Sequence, residues 1–137
     1  MIYLGHKHEL NRTVGAIEAD SGISIPSKFI FAGTQDGFSK ASEYSKLYLE
    51  KYLNVVMVKG GPAADISPIT AKGVPGFSLM NDAMGAPTFK YFDIHHTHAD
   101  TFDKVDELEL KKSTSAMAVM IYALSRGEID IPRENKE

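Results

Sequence analysis

Lys28-Phe29-Ile30-Phe31-Ala32, then Asp36 through Leu53, then Asn54-Val55-Val56-Met57-Val58-Lys59 is the stretch that decides the fold class. Its first piece is a short apolar, β-prone run stopped by Gly33, and it reads as a strand. In the second piece Phe38, Ala41, Tyr44, Tyr48 and Tyr52 recur at spacings of three and four, which places them on one core-facing side of a helix. The third piece sets apolar residues between polar ends, as a buried strand does, over 54–58. Strand, helix and strand in succession point to an α/β sheet with helices on its faces.

Working outward gives the same alternation. Val14-Gly15-Ala16-Ile17-Glu18-Ala19-Asp20 reads as a strand ending on a carboxylate, with Glu9 to Thr13 a helix end or turn before it and Ser21-Gly22 a turn after it. Downstream, Gly60-Gly61-Pro62 is a loop, Ala63 to Ile69 a short helix, and 74–80 a fourth strand. Residues 81–103 show no helical period. The last helix starts at the N-cap candidate Asp106, carries Leu108, Leu110, Met117, Met120, Ile121 and Leu124, and stops at Gly127. The tail from Ile129 is polar and expected to fray.

The chain has 137 residues, a size for one domain, with 43% hydrophobic and 24% charged residues in the globular range. Fifteen basic against 18 acidic residues leave no basic excess for nucleic acid. The longest apolar stretch, Ala116 to Leu124, is half the length needed to cross a bilayer, so no membrane partner is expected. The first eight residues lack the basic and apolar regions of a signal peptide. With no cysteine, disulfides, thiol nucleophiles and Cys-type zinc sites are excluded.

Chemistry must then come from His, Asp, Glu, Ser or Tyr. Three of the five histidines fall in Tyr91-Phe92-Asp93-Ile94-His95-His96-Thr97-His98-Ala99-Asp100-Thr101. Neutral imidazole ligates zinc, and a nearby carboxylate can orient its second nitrogen. In extended backbone His96 and His98 face one way and His95 the other, so at most two could meet at one metal. A solvated, His-rich loop is the competing reading. Asp20 at a strand end and Asp65 beside the Gly-Gly-Pro loop are each read by default as caps, Asp65 for the short helix that follows. His6 and His8 are read as surface residues. No Gly-x-Ser-x-Gly elbow, phosphate loop or His-Glu-x-x-His pair is present.

Four segments in order carry a family resemblance. Glu18-Ala19-Asp20-Ser21-Gly22, Gly61-Pro62-Ala63-Ala64-Asp65-Ile66-Ser67-Pro68, Gly73-Val74-Pro75-Gly76 and the His-rich segment together resemble the C-terminal part of carboxypeptidase Q-like di-zinc exopeptidases, relatives of bacterial leucyl aminopeptidases. The resemblance runs from about His6 to Leu124. It implies a partial three-layer α/β/α sandwich, a mixed sheet with helices on both faces, whose N-terminal half lies outside this chain. It also implies hydrolysis of peptides or dipeptides at two zinc ions bridged by an aspartate and a water, with a glutamate as general base. Carried over residue by residue, the metal ligands fall on Asp20 and His96, one for each zinc. Asp65 and His95 fall on the wall of the substrate pocket.

The family's first histidine, bridging aspartate and Glu-Glu pair would lie upstream of Met1, and no Glu-Glu dipeptide occurs here. The general base is therefore expected upstream, and the 137 residues alone are expected to be inactive. Family members are typically exported. A sheet missing its partner strands is also expected to self-associate. The alternative is a non-catalytic remnant or interaction module that keeps only the α/β core.

Overall fold

The computed structural model describes residues 7–21, 24–62, 64–81 and 91–135. Gly22, Ala63, His6 and residues 82–90 lie outside these, so the expectations placed on them do too. Four strands form one sheet: β1 (Ala16–Glu18), β2 (Lys28–Ala32), β3 (Val56–Lys59) and β4 (Gly76–Met80), in the order β1-β4-β2-β3. β1 and β4 are parallel, β2 and β3 are parallel, and β2 and β4 are antiparallel, so the sheet is mixed. The carboxyl ends of β1 and β4 thus share one end of the sheet with the amino ends of β2 and β3.

All four strands stand where apolar runs meet breakers, and each is trimmed for a local reason. β4 begins after Pro75, which has no N–H to give a ladder, although its carbonyl accepts the Ala16 N–H at 2.8 Å. β3 begins at Val56, because Asn54 takes a left-handed conformation (φ 57°) that closes the preceding helix. Asn tolerates this region better than other non-glycine residues.

Strand alternation divides the sheet into two faces. Phe29, Phe31, Phe77 and Leu79 are buried on one, with Ile17 and Met57 packed alongside. The Phe31 and Phe77 rings meet edge-on at 5.2 Å. This face is covered by α6 (Glu107–Arg126), through Ala116, Met120 and Ala123, and by a helix running from α2 (Gln35–Tyr44) to α3 (Lys51–Leu53). The second face is covered over β1, where Ala16 packs with Ile66 and Val74 and with Leu10 of α1 (Lys7–Arg12) and Ile69 of α4 (Ser67–Thr70). Helices therefore lie on both faces, as the resemblance implied, with the second layer only partial among the described residues.

Residues Ser45–Glu50, between α2 and α3, form a π-helical turn. Its wider winding moves the inward stripe to Ala41, Ser45 and Leu49, all buried. Tyr48 and Tyr52 are 48% and 66% exposed, which corrects the core-facing assignment of these two tyrosines. The tail also departs from expectation. Ile129 and Ile131 are buried in the main core, Arg133 donates to the Leu10 carbonyl at 2.7 Å, and the Glu134 N–H donates to the Gly73 carbonyl at 3.0 Å. It is a packed strap, not a frayed end. The α6 ends match the sequence reading: Asp106 accepts from the Glu109 N–H, and Gly127 (φ 71°) closes the helix. No described helix is long and apolar enough to cross a membrane.

Candidate active-site end of the sheet

Asp20 stands two residues beyond β1, exposed at the end where β1 and β4 finish. The chain turns inward immediately after it. The buried Ser21 hydroxyl donates to the Leu79 carbonyl at 3.2 Å, and Asn81 Nδ2 donates to the Ser21 carbonyl at 3.2 Å. The backbone around Asp20 is thereby fastened to β4 while its carboxylate stays in solvent.

The His-rich segment reaches the same place through Tyr91. The phenol donates to the Asp20 carbonyl at 3.3 Å, and the ring stacks on His95 at 4.5 Å and 25°. His95 in turn stacks on His96 at 3.8 Å and 25°. Desolvation pushes the Tyr91 phenol pKa up, and the Asp20 and Asp100 carboxylates add to this. The backbone here is not extended: α5 (Tyr91–Ile94) passes into a tight turn in which the Ile94 carbonyl accepts from both the Thr97 N–H (3.0 Å) and the Thr97 hydroxyl (2.7 Å). His96 sits in that turn at φ 55°, a left-handed conformation uncommon for a residue with a side chain. His95 and His96 are therefore neighbours, which corrects the alternating arrangement that an extended strand would give. His98 is exposed, and His8 is exposed beside Glu9.

Asp65 is exposed and does not cap α4, whose first turn has no side-chain cap. Its N–H instead donates to Glu18 Oε2 at 3.2 Å, and the Ile66 N–H donates to the same oxygen at 3.1 Å. Glu18 Oε1 accepts from the Ser78 hydroxyl at 3.2 Å, from the residue paired with Glu18 across β1 and β4. This buried carboxylate ties the Asp65 loop to the strand that leads to Asp20. Sequence reasoning missed it. The available signal was a lone acid sharing a strand face with Ala16.

No model of a known family matches the chain. Carboxypeptidase Q of Mus musculus is 31% identical over 129 residues, 93% of this chain and 26% of the relative. The Homo sapiens protein is 30% identical over 132 residues, 96% of this chain and 26% of the relative. A solved structure, the peptidase M28 precursor from Shewanella amazonensis SB2B, superposes with a TM-score of 0.82 at 25% identity, covering 98% of this chain and 29% of that one. The chain is similar to part of carboxypeptidase Q and shares the fold of a peptidase M28. It spans about a quarter of the length of the curated relatives it matches.

The zinc implied by the resemblance can be tested against the donors present. Asp20 and His96 are of the right chemical kind, a carboxylate and an imidazole, and both are exposed. Among the described residues, however, no three His, Cys, Asp or Glu side chains come together as a metal-holding group. The donor set fits zinc in kind and falls short in number, since even an open catalytic site takes three protein ligands.

Proposed function

We propose that this chain furnishes part of a zinc-dependent exopeptidase of the carboxypeptidase Q type, acting on peptides or dipeptides. The observation that supports this best is the convergence at one sheet end: the Tyr91 phenol meets the Asp20 backbone while its ring carries the His95–His96 stack. In this reading Asp20 and His96 each supply one ligand, to different zinc ions. His95, held between two rings, and Asp65, seated by Glu18, line the substrate pocket. The remaining ligands and the general-base glutamate would come from residues other than those described.

A zinc titration followed by NMR tests the reading. Resonances of Asp20 and His96 are expected to respond; His96→Ala removes the second response and His98→Ala leaves both. A zinc response centred on His98 or on other carboxylates, with Asp20 and His96 unaffected, overturns the assignment. In a parallel assay of the 137-residue chain with zinc and a dipeptide panel, no turnover is expected. Chelator-sensitive hydrolysis abolished by His96→Ala would show a fuller metal site than two donors.

A further inference from the structure

We propose that a cleft between the first half of α6 and the carboxyl ends of β1 and β4 binds a small uncharged group carrying a hydrogen-bond donor, of the carboxamide or alcohol class. The cleft holds about 250 Å³, just under the ~300–1,000 Å³ of pockets for drug-sized ligands. Leu110, Ser113 and Met117 of α6, spaced to share one helix face, form one wall, and Leu79 and Asn81 form part of the other.

Two polar atoms in this lining are left over. Ser24 and Asn81 are only 4% and 5% exposed. Ser24 Oγ and Asn81 Oδ1 nevertheless have no hydrogen-bond partner. Their neighbours are accounted for: Asn81 Nδ2 donates to the Ser21 carbonyl, and the Ser113 hydroxyl donates to the Ser24 carbonyl at 3.0 Å. Buried polar atoms are almost always paired; of the five unpaired ones among the described residues, these two line the same cleft, where an occupant could pair both at once.

The chemistry of that occupant follows from the lining. Asn81 Oδ1 only accepts, so the occupant must donate. The Ser24 hydroxyl can donate or accept, so an adjacent carbonyl or hydroxyl oxygen is also served. No described lining residue is ionisable, so a charged group would lose its hydration without a counter-charge. The cleft is lined by both neighbours of Asp20, Ala19 and Ser21. Resting on the peptidase reading, the group would be the neutral side chain of a bound peptide. A free small amide has the same chemistry.

The test is an NMR titration of the full chain with propionamide and with propionate, which match in size and differ in charge. Propionamide is expected to shift the Ser24, Asn81 and Thr114 amides, and propionate is not. Ser24→Ala, which removes an unpaired hydroxyl and leaves the Ser113 bond intact, should weaken propionamide at least threefold. Leu110→Trp, filling the cleft from a rim position that is 41% exposed, should abolish binding with the melt retained. Gly-Gln then distinguishes the sources: shifts at both the cleft and Asp20 support a peptide side chain. Propionamide binding with no dipeptide response at Asp20 supports a site for free amides and counts against the peptidase reading alone. Equal response to both probes, no response, or undiminished binding in Leu110→Trp overturns the proposal and leaves a cleft filled by ordered water.

Discussion

Glu18 carries more of this molecule than its place in a three-residue strand suggests. Its carboxylate accepts two backbone N–H groups and one hydroxyl from parts of the chain 47 to 60 residues away. Replacing it with alanine leaves three donors near the core without an acceptor, so Glu18→Ala is expected to cost about 2–4 kcal/mol in a urea melt. Glu18→Gln keeps an oxygen for the amides and should recover most of that loss. Glu109 behaves in the opposite sense. Burial pushes its carboxyl pKa up, the nearby Asp106 carboxylate adds to this, and Lys112 opposes it. The folded state therefore keeps this proton to higher pH than the unfolded chain. Its contribution to stability is full below the ordinary glutamate range and is lost as pH rises through the raised value. Melts of Glu109→Gln across that range should show a flatter pH profile and a higher Tm at neutral pH. Asp20, His95 and His96 were legible as chemical types because their side chains advertise their chemistry. The roles of Glu18 and Tyr91 were not legible, since both depend on partners remote in sequence.

At the scale of elements, what could be read locally was read. Asp106 and Gly127 close α6 through groups three or four residues away, and the strands announce themselves as apolar runs between breakers. The π turn could not be read this way. Spacings of three and four fit Tyr44, Tyr48 and Tyr52 as well as they fit any α-helix stripe, and the shift to Ser45 and Leu49 depends on tertiary contact. The buried Ser45 hydroxyl donates to the Val55 carbonyl at 3.2 Å, holding Ser45 inward. Leu49→Ala should therefore cost about 2–5 kcal/mol, as a fully buried leucine does. Tyr48→Ala should stay within about 1 kcal/mol. Equal losses would restore the tyrosine face to the core. The tail was misread because Ile129 and Ile131 alternate with polar residues over too few positions to register as a period.

For the molecule as a whole, the mixed sheet leaves β1 and β3 as its outer strands among the described residues. Outer strands carry unpaired backbone groups that can template another chain. Val56 of β3 is 37% exposed on the second face, away from the part over β1 that α1 and α4 cover, and the charges near it are Lys59 at the strand end and Lys28 opposite it. Concentration-dependent self-association is the expected behaviour in light scattering, and Val56→Lys should reduce it. A monomer at all concentrations, unchanged by the substitution, would show that these edges are protected.

Gly73 lies against the tail strap, whose Glu134 N–H donates to its carbonyl. It sits at φ 84°, and a Cβ there would stand 2.0 Å from the Glu134 carbonyl oxygen. Any side chain at 73 must evict the strap that carries Ile129 and Ile131 into the core. Glycine at 73 and an ordered strap therefore form one heritable unit. Lineages that lose the first should be found to have rewritten or discarded the second, and the two positions should change together across an alignment although 61 residues separate them in sequence.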